Sequence, residues 1–423
     1  MNKKFKVTTL GCRTNQYESQ AYIDQLKAKG YIPAQEGEEA DLCILNTCTV
    51  TESADHSSRY ATRQLIKENP NAKIIVTGCA AEKETEAFLQ IKGVSHVISN
   101  KEKANLLPLV FSEESWPEFS INHFESHTRA LVKVQDGCNS FCTYCIIPYV
   151  RGRSRSRRLE DVLSEVKALV ANGFREIVLT GINIGDFDGA PNEGENPVRL
   201  ADLVRAVDAV EGVERLRISS IDPDEVDDDL MEAVLSGKHT CPSFHIVLQS
   251  GSNVILKRMN RKYTSQMFSS AIEKMKKAHS DFTFTTDIIV GFPGESESDF
   301  EDTLKLMRST GFAKVHMFPY SPRSKTRAAL YPNQIPQEVI QERKKRVLAL
   351  AEETAFHLRC NYVGREMKVL LESQVKGFPH FFSGHTENFL PVWVEGKFLR
   401  SNEIVLVKMI ENSSESLRGE VIA

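Results

Sequence analysis

Short runs of β-branched and other apolar residues alternate with amphipathic stretches from residue 5 to about residue 109 of this 423-residue chain. The runs span 5–10, 42–46 and 73–77, and a cysteine follows each of them: Cys12, Cys48 and Cys79. Alternation of this kind is typical of βα units on a parallel sheet. Because the carboxyl ends of parallel strands share one edge, where such folds bind ligands, the pattern predicts that the three thiols converge.

A second group of cysteines has the spacing Cys-x3-Cys-x2-Cys, at Cys138, Cys142 and Cys145. Three thiolates ligate three irons of a cubane 4Fe-4S cluster and leave the fourth iron open. An open iron can chelate the amine and carboxylate of S-adenosylmethionine and pass an electron to its sulfonium, so the spacing predicts radical chemistry. The amino-terminal triplet has the same number of thiols and predicts a second cluster with one open iron.

Zinc is the main alternative for these thiols, and a structural zinc site requires a fourth protein ligand. No Cys or His follows Cys145 at the spacing of a zinc finger or ribbon. The next candidates are distant in the sequence, namely His123, His127, His239 and Cys241. The nine cysteines are an odd number and the first residues do not resemble an export signal, which disfavours a disulfide framework. Cys43 lies inside an apolar run and is predicted to be a buried core thiol.

Six strand-like runs interleaved with helical patterns extend from residue 131 to residue 318. Six repeats are too few for a closed eight-stranded barrel, so they predict a partial (β/α)6 barrel whose catalytic residues gather at the carboxyl ends of its strands. A helix from Pro336 to about Cys360 should close this domain. Four short runs then predict a small closed antiparallel β-barrel, at 367–372, 388–394, 403–409 and 420–422.

The predicted fold class is therefore α/β, with an amino-terminal parallel-sheet domain, a partial barrel and a terminal β-barrel at residues 1–118, 124–356 and 360–423. A hydrophobic content of 41% and a charged content of 26% are typical of soluble globular proteins. The first apolar run is too short for a signal-peptide core, and no segment approaches the length of a membrane span. We therefore expect no membrane association and a cytoplasmic location.

The formal net charge of -4 does not by itself indicate a nucleic-acid partner, so RNA binding would depend on local patches. Two basic runs follow the second cysteine loop and the fourth barrel strand: Arg151, Arg153, Arg155, Arg157 and Arg158, and Lys257, Arg258, Arg261 and Lys262. They are either phosphate contacts or solvated faces. The terminal barrel has aromatic residues for base stacking or for its own core: Phe381, Phe382, Phe389 and Trp393.

Four motifs resemble the methylthiotransferase family of the radical S-adenosylmethionine superfamily, and the resemblance covers essentially the whole chain. They are LGCRTNQYE at 10–18, NTCTVT at 46–51, TGC at 77–79 and DGCNSFCTYCIIP at 136–148. The most similar branch modifies N6-threonylcarbamoyladenosine next to the anticodon of tRNA. Two rival branches act on isopentenyladenosine in tRNA or on an aspartate of a ribosomal protein, and the residues around Cys12 argue against the latter. A rival of another class is a non-catalytic RNA-binding protein that contains zinc.

The resemblance implies replacement of the C2 hydrogen of the base by a methylthio group, with two S-adenosylmethionine molecules used per turnover. One molecule donates a methyl group, and the other is cleaved to a 5′-deoxyadenosyl radical. The implied cofactors are two 4Fe-4S clusters, and the terminal barrel is implied to be a TRAM domain. The implied partners are tRNA, an electron donor such as flavodoxin or ferredoxin, and a sulfur source.

The resemblance also assigns residues to S-adenosylmethionine. The predicted contacts are Tyr144, Gly181, Asn183, Ser219, Gln249 and Gly291. After the sixth barrel strand the family usually has Pro-Gly where this chain has Ser324-Lys325, a change that should loosen the turn. A threonylcarbamoyl group carries a carboxylate, and our candidates to bind it are Arg323, Lys325 and Arg327.

Overall fold

A computed structural model describes residues 3–122 and 128–422. Its amino-terminal domain contains the strands β1 (Lys4–Thr9), β2 (Ile32–Pro33), β3 (Leu42–Thr47), β4 (Lys73–Gly78) and β5 (Val94–Ile98). The helices are α1 (Arg13–Ala28), α2 (Glu52–Glu68), α3 (Cys79–Lys83), α4 (Thr85–Leu89) and α5 (Leu106–Val110), with a 3-10 turn at Asn100–Asn105. The strands form one parallel sheet in the order β2-β1-β3-β4-β5.

The three predicted strands are confirmed as the centre of this sheet, where β3 is buried along its whole length. Cys43 is fully buried there, as expected for a core thiol. Sequence reasoning missed the two edge strands, because β2 has only two residues and β5 is only partly buried. Edge strands need less apolar surface than central ones, so their sequence pattern is weaker.

The second domain contains the strands β6 (Arg129–Lys133), β7 (Gln135–Asp136), β8 (Arg155–Ser156), β9 (Glu176–Thr180), β10 (Arg215–Ile218), β11 (Ser220–Ile221), β12 (Ser243–Ile246), β13 (Thr283–Val290) and β14 (Lys314–Pro319). Its helices are α6 (Ile147–Val150), α7 (Leu159–Ala171), α8 (Leu200–Asp208), α9 (Asp228–Ser236), α10 (Asn253–Arg258), α11 (Ser265–Ala278), α12 (Glu297–Thr310) and α13 (Gln337–Cys360). Short 3-10 turns lie at Ile184–Asp186, Pro223–Glu225 and Arg327–Leu330.

Parallel pairing runs β6-β9-β10 and then β11-β12-β13-β14. β10 and β11 are consecutive pieces of one strand that is interrupted at Ser219, so the domain is a partial barrel of six parallel strands, as predicted. We call the space inside this curved sheet the lumen. α1 packs against the first strand through Tyr17 and Ala21, and α13 packs against the last strands through Val347. Elements from outside the six repeats therefore cover both edges.

The terminal domain contains β15 (Glu366–Gln374), β16 (Phe381–Thr386), β17 (Pro391–Glu395), β18 (Ile404–Asn412) and β19 (Leu417–Val421). These strands close into a barrel in the order β15-β16-β17-β19-β18 around a core that includes Val369, Val392 and Val407. Four of the five strand pairs are antiparallel, as predicted, whereas β17 and β19 pair in parallel. β16 was not predicted, since its residues Phe381–Thr386 include Ser and Gly and show no strong alternation.

The terminal barrel covers the amino ends of the strands of the partial barrel. Arg215 is 1% exposed and donates to the backbone carbonyls of Lys368 at 2.8 Å and His385 at 3.1 Å. Arg217 donates in the same way to Glu387 at 3.1 Å. These contacts obstruct the lumen at that end, so a large substrate must approach from the carboxyl ends of the strands. None of the helices in the described part of the chain has both the length and the apolar character needed to cross a bilayer.

Candidate active site

The first three thiols lie at the carboxyl edge of the amino-terminal sheet. Cys12 precedes α1, Cys48 follows β3 and Cys79 is the first residue of α3. The Cys48 thiol interacts electrostatically with the thiols of Cys79 and Cys12, so the three are neighbours as the strand pattern predicts. Gly11 has φ +94°, and a Cβ at this position would lie 2.6 Å from the Cys48 Sγ. Glycine is therefore required for the chain to pass this close to the thiol.

The environment of Cys48 and Cys79 favours the neutral form of their thiols. Burial raises the pKa of Cys48 to about 11. Burial also raises the pKa of Cys79, against the opposing charges of Arg151 and Lys103. Because the thiolate is the form that binds metal, ligation at these positions has to displace protons.

The second three thiols lie on the loop between β7 and α6, at the carboxyl end of the first barrel strand. The Cys145 thiol interacts electrostatically with those of Cys142 and Cys138, and burial with the Cys142 charge raises the pKa of Cys145 to about 12. The Arg261 Nη1 donates to the Cys142 Sγ at 3.0 Å, and the Ser140 amide donates to the Cys138 Sγ at 3.3 Å. Such donors stabilise a thiolate, so they suit a metal-bound sulfur.

Neighbouring elements hold the cysteine loop in place. The Thr143 amide donates to the Met259 carbonyl at 2.9 Å, and the Thr143 hydroxyl donates to the Arg258 carbonyl at 2.9 Å. The Thr143 carbonyl accepts from the Ala328 amide at 2.8 Å. Residues distant in sequence thus fix a loop that has no regular secondary structure of its own.

No group of three or more Cys, His, Asp or Glu side chains within 3–122 and 128–422 is arranged around a single ion position. In a cubane each iron binds its own thiolate, so three cluster ligands do not have to converge on one point. Two of the more distant zinc candidates, Cys241 and His239, do not join either triplet. Cys241 precedes β12, at the opposite end of the strands from the cysteine loop, and His239 lies two residues before it. His123 and His127 lie outside the described residues.

Two residues that the resemblance assigns to S-adenosylmethionine present unused polar atoms. The Ser219 Oγ and the Gln249 Oε1 are buried, and neither has a hydrogen-bond partner in the described part of the chain. Gln249 also has φ +63°, an uncommon conformation for a residue other than glycine. Buried polar atoms without partners are costly, so both positions fit contacts with a polar cofactor.

The remaining assigned residues have partners within the protein. Asn183 donates from Nδ2 to the Glu225 Oε1 at 2.8 Å, and burial, with the nearby charge of Asp222, raises the pKa of Glu225 to about 8. Gly181 follows directly after β9. Tyr144 packs edge-on against Phe292, with ring centroids 6.3 Å apart.

Gly291 follows directly after β13, where the resemblance predicts a close backbone approach to the adenine. A Cβ at this position would lie 2.4 Å from the Ile340 Cγ1 on α13. Packing of that helix accounts for this glycine without an adenine contact.

Of the five arginines expected to form a surface patch after the cysteine loop, one is instead internal and a second is half-buried. Arg151 is 1% exposed and pairs with Glu18 at 3.1 Å and Asp136 at 2.8 Å. Arg157 pairs with Glu165. The expectation that Arg151 contacts phosphate or solvent is therefore wrong, because carboxylates within the protein enclose it, whereas Arg157 keeps a partly exposed side chain beside Glu165. Three arginines of this run are exposed: Arg153, Arg155 and Arg158.

The second basic run, which follows the fourth barrel strand, also contains both arginines with partners inside the protein and exposed lysines. Arg261 binds Asp222 and Cys142, and Arg258 donates to the Pro293 carbonyl at 3.1 Å. Lys257 and Lys262 remain exposed. The cationic surface near the cysteine loop is thus smaller than the sequence indicates.

A buried ion network joins α1 to the partial barrel. Glu18 is 0% exposed and receives Arg151 at 3.1 Å, Lys133 at 3.1 Å and Lys103. Burial alone would raise the pKa of Glu18, but these three cations together hold it well below its usual range. Arg151 also donates to the Asn15 Oδ1 at 2.5 Å. Both Asn15 and Glu18 lie in the motif at 10–18, yet sequence reasoning assigned no role to them.

Arg323 is also less available than the sequence indicates. It is 3% exposed and donates from Nη2 to the Asp55 Oδ2 and the Thr49 Oγ1, both at 2.6 Å. These contacts tie the barrel to the amino-terminal domain and argue against Arg323 as the residue that binds a substrate carboxylate. Lys325 and Arg327 are exposed, and their role stays a prediction.

Lys325 occupies a left-handed backbone position, with φ +73°, where the family's Gly would be unstrained. Replacing Lys325 by glycine is expected to raise the free energy of unfolding by about 1 kcal/mol, because glycine has no Cβ to clash in this conformation. Urea unfolding of the two proteins measures the change. The control is Lys345→Gly inside α13, which is expected to lower the free energy of unfolding by about 1 kcal/mol. Destabilisation by both substitutions would contradict the prediction.

The aromatic residues of the terminal barrel divide into two groups. Phe378, Phe381 and Trp393 form a cluster with ring centroids 5.7 to 6.5 Å apart, and Phe378 is 50% exposed. We call this the aromatic cluster. Phe382 packs against the barrel core, and Phe389 stacks on His385 with centroids 4.6 Å apart. Of these residues, those of the aromatic cluster offer an open face.

A partial six-stranded barrel with a three-cysteine loop after its first strand is the arrangement of radical S-adenosylmethionine enzymes. Residues 132–307 match the radical SAM superfamily, and residues 4–99 match the uncharacterized protein family UPF0004. Among solved structures, the radical S-adenosylmethionine methyltransferase TsrM from Kitasatospora setae aligns with a TM-score of 0.55. The alignment has 12% identity and covers 76% of this chain and 77% of that chain. This likeness concerns the fold alone.

Sequence comparison identifies the family within the radical S-adenosylmethionine enzymes. The chain is 49% identical to the threonylcarbamoyladenosine tRNA methylthiotransferase MtaB of Chlamydia pneumoniae, over 99% of this chain and 98% of that protein. It is 36% identical to the MtaB of Bacillus subtilis, over 98% and 95%. It is 34% identical to a tRNA-2-methylthio-N(6)-dimethylallyladenosine synthase of Finegoldia magna, over 99% and 94%. The chain therefore belongs to the radical S-adenosylmethionine tRNA methylthiotransferase family, whose chemistry uses a 4Fe-4S cluster and S-adenosylmethionine.

Proposed function

We propose that the protein methylthiolates C2 of N6-threonylcarbamoyladenosine next to the anticodon of tRNA, and that it does so in the cytoplasm. The observation that carries this proposal is the 49% identity, over nearly the whole of both chains, to an enzyme named for that nucleoside. An aromatic C–H bond is neither acidic nor a leaving group, so acid-base catalysis alone does not functionalise it.

Two 4Fe-4S clusters are proposed, one on each cysteine triplet. Cys138, Cys142 and Cys145 would hold the cluster that binds S-adenosylmethionine, and the amino-terminal triplet would hold an auxiliary cluster. When bound, these groups supply a radical that removes the C2 hydrogen and a methylthio group that replaces it, with one S-adenosylmethionine as the radical source and another as the methyl donor. The electron donor would be a flavodoxin or ferredoxin, and a separate sulfur source would be needed.

The protein's own residues would position the clusters and the cofactor relative to one another. Arg261 would stabilise the bound Cys142 thiolate. The Ser219 hydroxyl would donate to the cofactor or accept from it, and the Gln249 Oε1 would accept from it. The Glu18 network and the Arg323–Asp55 pair join the two cluster-binding domains, which supports a fixed separation between the clusters. The terminal barrel covers the amino ends of the strands, which restricts entry of water into the lumen from that side.

tRNA would approach the carboxyl ends of the strands. The exposed cations near the cysteine loop are suited to phosphate contacts: Arg153, Arg155, Arg158, Lys257 and Lys262. The aromatic cluster supplies flat apolar rings on which unpaired bases stack.

The closest alternative substrate is isopentenyladenosine, because a relative that acts on a dimethylallyl base is 34% identical over 99% of this chain. The two bases differ in chemistry, since the threonylcarbamoyl group is anionic and the isopentenyl group is apolar. A site for the first requires cations or hydrogen-bond donors, whereas a site for the second requires an apolar slot.

Competition between two tRNAs that differ only in this group tests the proposal. The reconstituted protein, with S-adenosylmethionine and a reductant, is expected to methylthiolate the threonylcarbamoyl tRNA first when both are present at equal concentration. Nucleoside analysis by mass spectrometry measures both products. Preference for the isopentenyl tRNA would overturn the substrate and leave the family assignment unaffected. Zinc without iron or sulfide in anaerobically purified protein would favour the non-catalytic alternative.

A further inference from the structure

Arg13 is the first residue after the amino-terminal cysteine Cys12, and its side chain extends into the lumen of the neighbouring domain. It interacts electrostatically with Arg129, Arg217 and Glu176 on one wall and with Asp287 on the other. The side chain is exposed although protein surrounds it on most sides, because the lumen is open to solvent. Arg13 therefore connects the edge that carries the first thiol triplet with the interior of the partial barrel.

A cavity of about 170 Å³ lies beside this side chain. Its lining includes Arg13, Gln16, Arg129, Arg217 and Phe389, and it contains three guanidinium groups but no carboxylate. The guanidinium groups of Arg129 and Arg217 also lie over the Phe389 ring, at 5.1 and 4.8 Å from its centroid. The cavity is thus cationic on several sides and has one flat apolar wall.

Two of these arginines already have carboxylate partners. Arg129 pairs with Glu372 at 2.9 Å, and Arg217 pairs with Glu176 at 2.9 Å. Within 3–122 and 128–422, Arg13 has neither an ion pair nor a hydrogen bond from its guanidinium. It is the cation of this cavity that remains available for an external anion.

We propose that Arg13 determines substrate specificity by binding the free carboxylate of the threonylcarbamoyl group in this cavity. This inference rests on the proposed function, because it assumes that the substrate carries that group. A guanidinium binds a carboxylate through two parallel hydrogen bonds, so the contact selects a planar anion and rejects an apolar isopentenyl group. Gln16, which also lines the cavity, can hydrogen-bond the hydroxyl or carbamoyl oxygens of the same group.

The carboxylate of S-adenosylmethionine is the other anion of the same chemistry. Of its predicted contacts, Ser219 lies at the break between β10 and β11, and Gln249 lies beyond the carboxyl end of β12. The cavity beside Arg13 lies deeper, between the start and the middle of β6, at Arg129 and Leu131, and beside Val178 in the middle of β9. The two anions would therefore occupy different levels of the lumen, and the geometry assigns the deeper level to the substrate.

Binding of short RNAs to the reconstituted protein, without reductant, tests the proposal. Fluorescence anisotropy compares anticodon stem-loops that carry threonylcarbamoyladenosine, its methyl ester or unmodified adenosine at the same position. The wild-type protein is expected to bind the RNA with the free threonylcarbamoyl acid roughly tenfold to a hundredfold more tightly than either other RNA. One charge-assisted hydrogen-bond contact accounts for an affinity ratio of this size. Arg13→Gln is expected to abolish this preference without changing affinity for unmodified RNA. Arg13→Lys should retain a part of it.

Arg308→Gln removes an exposed arginine from α12 and is the matched control, which should keep the full preference. Iron content and circular dichroism establish that each variant is folded and loaded. Equal weakening of all three RNAs by Arg13→Gln would show a phosphate contact and overturn the inference, and so would a preference that survives the substitution. A wild-type protein that does not distinguish the acid from unmodified RNA would instead overturn the proposed substrate itself.

Discussion

Replacing Cys138, Cys142 and Cys145 together by alanine is expected to abolish 5′-deoxyadenosine formation by the reduced protein. These thiols lie at the carboxyl end of the first barrel strand, and the buried polar atoms that fit the cofactor follow later strands of the same barrel. Without their cluster no iron is left to pass an electron to the sulfonium at this place. Chromatography after anaerobic reconstitution measures the amount of 5′-deoxyadenosine, which should fall to the background of the protein-free reaction.

Replacing Cys12, Cys48 and Cys79 together by alanine is expected to have a different outcome. Iron should fall from about eight to about four atoms per chain, because each triplet suits one cubane. Cofactor cleavage should continue, while the methylthiolated nucleoside disappears. Cys360→Ala, which removes an exposed thiol at the end of α13, is the control and should change neither quantity. Full methylthiolation by the triple variant would contradict the assignment of separate roles to the two triplets.

Glu18→Gln is expected to lower the free energy of unfolding by about 3 to 5 kcal/mol, the usual cost of removing one partner from a buried ion pair. The carboxylate is completely buried among Lys103, Lys133 and Arg151, so its loss leaves three enclosed cations with less compensation. Chemical denaturation followed by circular dichroism measures the change. Glu68→Gln removes the partner of Lys6 from an exposed pair and should cost less than about 1 kcal/mol.

The same network predicts a pH dependence. The pKa of Glu18 in the folded protein lies well below its usual value of 4.5, since the three cations outweigh the effect of burial. Its contribution is therefore fully present above about pH 4.5 and is lost as the pH falls through the lower folded value. Wild-type protein should lose stability more steeply than Glu18→Gln below pH 4.5. Parallel stability curves for the two proteins in this range would contradict the role given to Glu18.

The sequence by itself determined the architecture and the positions of the two thiol triplets. Apolar runs with the period of strands alternate here with helical patterns. This alternation specifies parallel sheets, because the strands and helices bury their apolar faces by packing against each other. Once the strands are parallel, residues after their carboxyl ends meet at one edge, and Cys12, Cys48 and Cys79 do so. These conclusions depend on local pattern and on chain direction, both of which can be read from the sequence.

Only the tertiary structure decided which charged residues are free. Arg151 is internal because Glu18, 133 positions earlier, lies beside it, and Arg323 is internal because Asp55, 268 positions earlier, does so. Arg153, two residues after Arg151, is exposed. Arg13 looks like an ordinary residue between a cysteine and a helix, yet it reaches into the lumen of another domain. A charged side chain has the same local propensity whether it is solvated or buried, so its role is determined by partners that the fold brings from far along the chain.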